Sequence, residues 1–332
     1  MKNNKILILG ASGQIGKELS IKLKDKVNLY CHVRSEIAAT YFKENNINYI
    51  SGDLNTKEII NEISISDVIF DLASPNSGTL FQTKQFYKDR LELVIKNMKK
   101  NTKFIFASSI NAFGMSEHRR LFKDYFIPSS IYCANKRFAE KLSQKLGKQN
   151  TIDIYLLRLS EVHGKYQRSS DNLKKLISQK YIFEVPNTPA WVVSISTIEE
   201  ALIKIIDNKE KPGLYTLTND HIYWSDLLKF FAKEINSEVK INIKKNIKPS
   251  ILSYLKNIIK KLIVSRKDLI RGNITFTKDF EEIKKLNFRI ETTKLLNNNL
   301  GGIKYYKELN KFFGVLPGKR LTNLAKNDSF YY

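Results

Sequence analysis

A glycine-rich turn near the start of the chain restricts the fold more than any other feature. The segment "ILILGASGQIGKEL" (6–19) places Gly10, Gly13 and Gly16 between an apolar run and a helical pattern. In a strand–turn–helix unit of this kind, the first glycine permits a tight turn, the second lets a pyrophosphate approach the backbone, and the third lets the helix pack close to the strand. The free N–H groups of the helix N-terminus then face the phosphates. The turn therefore predicts a dinucleotide site at one edge of an α/β sheet.

The rest of the first half repeats this alternation, which predicts a Rossmann-type, doubly wound parallel sheet. After about residue 165 the pattern changes to helices with short strands between them. We predict a NAD(P)-binding domain over 1–165 and a smaller α/β substrate-binding region over 166–332, with some elements returning to the first domain. Strands are predicted at 5–10, 27–33, 66–74, 103–109, 151–160 and 213–218, and helices at 15–26, 81–100, 130–146, 198–208, 223–235 and 250–264.

Composition narrows the class of protein. The chain has 332 residues, of which 42% are hydrophobic, enough for a sizeable core. Its two cysteines lack the spacing of a metal site or a disulfide framework, so we expect no bound metal. The N-terminus lacks a signal-peptide layout, and no apolar run reaches the ~18 residues of a membrane span, so we expect a soluble cytoplasmic protein.

The net charge of +23 has several interpretations. It suits nucleic acid, an anionic membrane surface or anionic small substrates, and it also arises from a general richness in lysine. Because no aromatic-plus-basic motif of a nucleic-acid module is visible, we expect no nucleic-acid partner. The basic amphipathic segment 244–267 is either an ordinary surface helix or a peripheral contact with the inner face of the membrane.

A second chemical signal lies in "IYCANKRFAEK" (131–141), where Lys136 follows Tyr132 by four residues. Residues at this spacing share one face of a helix, so both side chains can enter one cleft. A nearby ammonium favours the phenolate and lowers the pKa of a tyrosine, which then serves as a general base. The pair alone proves little, because a lysine-rich chain contains such pairs by chance.

The context of the pair resembles the extended short-chain dehydrogenase/reductase family of NAD(P)-dependent sugar epimerases, dehydratases and reductases. The glycine turn, "SGDL" (51–54), "FASSINAFG" (106–114), the Tyr-Lys pair, "LRLSEVHG" (157–164) and "FTKDFEEIKKLNF" (276–288) follow one another in the family's order. The resemblance implies Ser109, Tyr132 and Lys136 as catalytic residues. Tyr132 would exchange a proton with the substrate, Lys136 would also hold the nicotinamide ribose, and Ser109 would bond the substrate oxygen, with Ser108 as the fallback.

The resemblance also implies which residues bind the cofactor, with Asp53 lying against the adenine. Arg34, at the end of the second strand, suits a 2′-phosphate and modestly favours NADP over NAD. The alternative is an ordinary solvated arginine, and Glu36 lies nearby. Beyond the Tyr-Lys pair, the implied cofactor-binding residues are Gly10, Ser12, Gly13, Gln14, Ile15, Gly16, Arg34, Asp53, Leu54, Leu72, Ala73 and Ser74.

On the substrate side, the resemblance implies contacts from Ser108, Asn111, Glu161 and Asn172. Dehydratases of the family carry an Asp-Glu pair directly after the catalytic Ser or Thr, where this chain has Ile110 and Asn111, so a dehydratase is not expected. Glu161 stands where an Asn usually contacts the substrate diphosphate, which implies that the phosphate sits differently or that the substrate is unusual. Lys174 and Lys175 either neutralise a phosphate or are solvated.

Together these features predict an epimerase or 4-ketoreductase acting on a nucleotide- or polyprenyl-diphosphate-linked sugar in surface-polysaccharide synthesis. A reductase of a non-sugar carbonyl, or a cofactor-binding regulatory protein of the same fold, are the alternatives. By resemblance we also expect a homodimer formed by helices 81–100 and 130–146, with Phe86, Leu93, Ile95, Phe138 and Leu142 among their apolar positions.

Overall fold

The computed structural model of the protein describes residues 4–75, 79–113, 131–179, 182–186, 190, 192–217 and 223–244. The predictions for 250–264 and 276–288, and most of the basic segment 244–267, lie outside these residues. The strands are β1 (Lys5–Leu9), β2 (Asn28–Val33), β3 (Tyr49–Ser51), β4 (Val68–Asp71), β5 (Lys103–Ser109), β6 (Asp153–Leu159), β7 (Glu161–His163), β8 (Ile182–Pro186), β9 (Val192–Ser194), β10 (Gly213–Leu217) and β11 (Lys240–Lys244). The helices are α1 (Gln14–Leu23), α2 (Glu36–Glu44), α3 (Lys57–Ile65), α4 (Leu80–Asn97), α5 (Ile131–Asn150), α6 (Arg168–Gln179), α7 (Ile195–Ile206) and α8 (Trp224–Glu234), with a 3-10 turn at Ile110–Phe113.

The predicted doubly wound fold is confirmed. Seven parallel strands form the central sheet in the order β10-β6-β5-β4-β1-β2-β3. The chain runs outward from β1 to β3 and then crosses to β4 on the other side of β1. The carboxyl ends of β1 and β4 therefore flank the point where strand order reverses, which is where open α/β sheets bind ligands.

Helices cover both faces of the sheet, which explains why its strands are nearly continuous apolar runs. Along β1, Ile6 and Ile8 face one buried cluster, whereas Leu7 and Leu9 face the other. Successive residues of a strand point to opposite faces, so one five-residue strand contributes to both cores. Two of the strand predictions, 5–10 and 103–109, fall on β1 and β5 almost residue for residue.

A third apolar cluster lies apart from the sheet. It joins α6 and α8 to the two-stranded sheet β8–β11 and includes Ile177, Phe183, Leu227 and Phe231. Two elements of the C-terminal half do return to the main sheet: β10 pairs with β6, and α7 adds Ile198 to the core beneath α1. The domain boundary after residue 165 stays a prediction. Within the described residues no helix is both long and apolar enough to cross a bilayer.

Candidate active site

The glycine turn follows β1 with the geometry that the sequence predicts. Gly10 has φ +75°, and a Cβ there would lie 2.8 Å from the backbone nitrogen of Ala73, just beyond β4. A Cβ on Gly16 would lie 2.4 Å from the carbonyl oxygen of Ala11, so this glycine lets α1 pack against the turn. Close contacts with the protein's own backbone therefore exclude a side chain at Gly10 and at Gly16.

The N-terminus of α1 is open to a ligand. Gly13 is its exposed N-cap, and the first N–H that bonds back within the helix is that of Lys17, to the Gly13 carbonyl at 2.9 Å. The N–H groups of Gln14 and Ile15 precede it and have no helical partner. No acidic residue occupies the first turn, so the positive end of the helix dipole is not neutralised there. These residues fit the pyrophosphate of a dinucleotide.

The other cofactor-side residues lie at the carboxyl ends of the strands beside β1. Arg34 is exposed directly after β2, and Glu36 accepts a hydrogen bond from Ser51 at the end of β3. Asp53 is exposed, and its carbonyl accepts from the Thr56 N–H in the turn before α3. The described structure thus gathers along one sheet edge the predicted cofactor residues, which are Gly10, Ser12, Gly13, Gln14, Ile15, Gly16, Arg34, Asp53, Leu54, Leu72, Ala73 and Ser74.

Ser109, Tyr132 and Lys136 meet at the same edge. Ser109 ends β5, and α5 carries the other two residues on one face. The Tyr132 hydroxyl hydrogen-bonds Ser109, and Lys136 Nζ lies 5.7 Å from the centroid of the Tyr132 ring. Lys136 Nζ also donates to the Ala107 carbonyl oxygen at 2.7 Å. A serine hydroxyl, a phenol and an ammonium therefore converge where a substrate oxygen could be bound and exchange a proton.

Burial dominates the electrostatics of Tyr132 and Lys136. Burial of the Tyr132 hydroxyl raises its pKa, and the hydrogen bond from Ser109 opposes this only in part, although the residue as a whole is 44% exposed. Lys136 Nζ is directed at the Ala107 carbonyl, and the expected lowering of the Tyr132 pKa by Lys136 together with a bound nicotinamide stays a prediction. Burial in turn lowers the pKa of Lys136 to about 8, against the opposing effect of Asp71 and Glu140.

Ser108 contributes to a buried ion network. Its hydroxyl donates to Glu140 Oε1 at 2.6 Å, and Arg158 on β6 binds both Glu140 oxygens at 2.7 Å. Arg137 donates to the same carboxylate at 3.2 Å. Ser108 therefore helps hold β5, β6 and α5 together, and its role as a fallback substrate contact stays a prediction.

A second buried ion pair lies at the end of β4. Arg90 on α4 binds the Asp71 carboxylate through Nε and Nη2, at 2.8–3.0 Å. Asp71 Oδ1 also accepts from the Ala73 N–H at 3.0 Å and so fixes the turn that the cofactor residues Leu72, Ala73 and Ser74 occupy. Sequence reasoning missed this pair. Its one signal was a carboxylate that ends the otherwise apolar run of β4.

A third missed residue, Glu18, fastens α1 to the segment before α6. Glu18 is 4% exposed, and its carboxylate accepts from the N–H groups of Lys165 and Tyr166 at 3.1 and 3.3 Å. The Gln167 amide donates to it at 3.2 Å. A Cβ on Gly164 would lie 2.5 Å from both Glu18 oxygens, which explains the glycine there. This contact joins residues almost 150 positions apart in the chain.

The predicted substrate residues are spread more widely. Asn111 is exposed in the 3-10 turn after Ser109, and Glu161 is 49% exposed at the start of β7, two residues beyond the strand partner of Ser109. Asn172 is exposed on α6, which belongs to the third cluster. On the same helix, Lys174 forms an ion pair with Glu234 at 3.3 Å, whereas Lys175 is exposed.

Solved structures with the same fold include enzymes of more than one kind. A UDP-N-acetylglucosamine 4-epimerase from Bacillus cereus matches with a TM-score of 0.58 and 14% identity, over 74% of this chain and 87% of that one. A UDP-glucuronic acid 4-epimerase from Bacillus cereus in complex with NAD matches with a TM-score of 0.56 and 18% identity, over 93% and 98%. Vestitone reductase from alfalfa matches with a TM-score of 0.51 and 16% identity, over 78% and 98%. At these identities the likeness concerns the fold and leaves the substrate open.

The family, in contrast, follows from the sequence itself. The profile of the NAD dependent epimerase/dehydratase family matches residues 6–181, which is more than half of the chain. The matched range contains the glycine turn, Ser109, Tyr132, Lys136 and Glu161. The chain therefore belongs to the NAD dependent epimerase/dehydratase family.

Proposed function

We propose that the protein is a cytoplasmic, NAD(P)-dependent epimerase or 4-ketoreductase that acts on a nucleotide- or polyprenyl-diphosphate-linked sugar in surface-polysaccharide synthesis. The observation that carries the proposal is the convergence of Ser109, Tyr132 and Lys136 at the sheet edge that also holds the open N-terminus of α1. A hydroxyl-bearing carbon held there would have a hydrogen-bond donor, a proton acceptor and a fixed cation around its oxygen.

Each residue has a distinct task in this proposal. Tyr132 takes the proton of the substrate hydroxyl or returns it to a ketone, and Ser109, already bonded to the Tyr132 hydroxyl, orients the same oxygen. Lys136 stabilises the phenolate and holds the nicotinamide ribose. A bound nicotinamide would supply the hydride chemistry, which no side chain can perform. Because burial raises the pKa of Tyr132, the ammonium is needed for the phenolate to form near neutral pH.

Two sequence features bear on the reaction type and on how the substrate binds, and a third on the carrier of the sugar. Ile110 and Asn111 follow Ser109 directly, and neither can act as a general acid or base, which disfavours dehydration. Glu161 brings a carboxylate where a substrate diphosphate would otherwise lie, so the carrier phosphates would bind elsewhere or in another orientation. Contact of the basic segment 244–267 with the membrane would suit a polyprenyl-linked substrate.

The proposal is tested by incubating the purified protein with a panel of UDP- and dTDP-sugars and their 4-keto forms. NAD⁺ is supplied with the sugars and NADPH with the ketones, and products are identified by NMR. We expect one member to be epimerised or reduced. Cofactor binding without turnover of any sugar, but with reduction of a simple non-sugar carbonyl, would contradict the sugar assignment. Binding without turnover of either class would favour the regulatory alternative.

Cofactor choice is the first prediction, since it separates reduction from epimerisation. Arg34 is exposed after β2 and has no hydrogen bond or ion pair with any described residue, while Glu36 is occupied by Ser51. A bidentate Arg–phosphate contact is worth about 1–3 kcal/mol, or tenfold to a hundredfold in affinity. We expect NADPH to bind more tightly than NADH by this factor, and Arg34→Ala to abolish the preference while NADH affinity changes little. Fluorescence titration measures both, and equal affinities in the wild type would remove Arg34 from the cofactor site.

The second prediction concerns assembly. We propose a homodimer through α4 and α5, where Phe86, Leu93, Phe138 and Leu142 are half-buried in the protomer. Ile95, which the sequence suggested for the same face, is instead fully buried in the core, so it is not available to a partner. Light scattering at micromolar concentration should give twice the protomer mass, and Phe138→Lys should give a monomer. A monomeric wild type would refute this arrangement.

A further inference from the structure

Lys136 is surrounded in a way that the proposed function alone does not explain. It is 4% exposed, and its Nζ lies 4.8 Å from the centroid of the Phe106 ring and 5.4 Å from that of Tyr87. Its one hydrogen bond within the described structure is to the Ala107 carbonyl, and it forms no ion pair there. A buried ammonium in such a setting is costly unless negative charge lies nearby.

Two buried carboxylates are near enough to supply that charge. Asp71 and Glu140 both raise the pKa of Lys136 against the larger effect of burial. Glu140, one helical turn further along α5, is shared by two arginines and Ser108. Asp71 is paired with one arginine, Arg90, among the residues that the structure describes. Lys136 Nζ lies over the rings of Tyr87 on α4 and Tyr132 on α5, and the charges of Asp71 on β4 and Glu140 on α5 act on it. The charged groups behind these carboxylates are Arg90 on α4, which binds Asp71, and Arg137 on α5 and Arg158 on β6, which bind Glu140.

The sheet fixes Asp71 with respect to Lys136. Asp71 pairs in register with Phe106, and the next residue, Ala107, supplies the carbonyl that Lys136 binds. Asp71 is completely buried, and Arg90 and the Ala73 N–H hold its carboxylate in one orientation. The register between β4 and β5 therefore places the Asp71 carboxylate beside the part of β5 to which Lys136 Nζ is hydrogen-bonded.

We propose that Asp71, oriented by Arg90, is a positioning residue that keeps the Lys136 side chain protonated at the candidate active site. The inference rests on the proposed role of Lys136 beside Tyr132. Asp71 touches neither substrate nor cofactor in this account. It acts through Lys136, and at the same time its bond to Ala73 fixes the turn beside the glycine loop.

The sign of the effect follows from the charges. Burial lowers the pKa of Lys136 to about 8, and the negative charge of Asp71 keeps it from falling further. In Asp71→Asn that charge is lost and the positive charge of Arg90 is left uncompensated. Both changes lower the pKa of Lys136, so the ammonium, and with it the alkaline limb of turnover, would be lost at lower pH. Arg90→Gln has the opposite effect on charge and should raise the pKa of Lys136.

The test measures Lys136 without needing a substrate. Competitive acylation with acetic anhydride at a series of pH values, followed by mass spectrometry of the Lys136 peptide, gives the pH at which this amine becomes reactive. We expect the midpoint to fall by about one pH unit in Asp71→Asn, a usual size for removal of a nearby opposite charge. It should rise in Arg90→Gln. The matched control is Asp89→Asn, which removes an exposed carboxylate from α4, the helix that carries Arg90. The labelling midpoint of Lys136 should be unchanged in this variant.

The two variants keep the proposal falsifiable when one of them does not fold. A labelling midpoint of Lys136 that falls in Asp71→Asn and rises in Arg90→Gln supports the proposal. Loss of packing alone would shift the midpoint in the same direction in both variants. A midpoint in either folded variant that coincides with the wild type would overturn it. Where a substrate is known, the alkaline limb of kcat should follow the labelling midpoint. A protein that shows the labelling shifts but turns over no sugar would leave Asp71 in this role and refute only the proposed function.

Discussion

Replacement of Tyr132 by phenylalanine is expected to lower turnover by ~10²–10⁴-fold while cofactor binding is largely kept. The substitution removes the oxygen that exchanges the proton and that bonds Ser109, but it leaves the ring stacked beside Lys136. Steady-state kinetics on the substrate found in the panel would give the loss in kcat, and NADPH fluorescence titration would give the affinity.

Tyr155→Phe is the matched control for this change. It also removes one phenolic hydroxyl, which bonds the Glu210 carbonyl at 3.2 Å and lies on β6 away from the candidate site. Its turnover should stay within a few-fold of the wild type. Activity of Tyr132→Phe that equals that of Tyr155→Phe would remove Tyr132 from the mechanism.

Truncation of Glu140 to alanine is expected to lower the free energy of unfolding by about 3–5 kcal/mol, because it leaves two arginines buried beside an empty carboxylate position. The exposed pair Glu92–Lys96 on α4, at 3.2 Å, offers a control, and Glu92→Ala should cost about 0–1 kcal/mol. Urea unfolding at neutral pH measures both. Similar losses in the two variants would mean that the Glu140 network contributes little to stability.

The contribution of Glu140 also has a defined dependence on pH. Burial would raise the pKa of Glu140, but Arg158, Arg137 and Ser108 outweigh it and hold the pKa below its ordinary value. The carboxylate therefore contributes its full stabilisation above the pKa of an unfolded glutamate, and this is lost as the pH falls through the lower folded value. The difference in the free energy of unfolding between wild type and Glu140→Ala should accordingly become smaller only in strongly acidic buffer.

The alternation of strands and helices, and the local motifs of the candidate site, could be predicted from the sequence because they depend on local patterns. An apolar run that ends in glycines, and two residues four apart on a helix, fix the neighbourhoods of Gly10 and Tyr132 without knowledge of distant contacts. The buried network of Ser108, Glu140 and Arg158 could not be predicted in this way, because it joins β5, α5 and β6.

Contacts between distant segments could not be read in the same way. Nothing in the periodicity of 213–218 indicates that β10 pairs with β6, and nothing near Glu18 indicates that it accepts hydrogen bonds from 165–167. The surroundings of Tyr132 could not be read either, because spacing brings Lys136 close but does not show that burial raises the pKa of the phenol or that Nζ is directed at Ala107.

The central claim is that the edge carrying the glycine turn, Ser109, Tyr132 and Lys136 is a nicotinamide-dependent active site, and a crystal structure of the protein with NADP⁺ tests it most directly. The account predicts the dinucleotide across the carboxyl ends of β1 and β4, with its pyrophosphate at the N-terminus of α1, its 2′-phosphate at Arg34 and its nicotinamide ring beside Tyr132 and Ser109. A dinucleotide bound elsewhere, or with its nicotinamide remote from Tyr132, would contradict it.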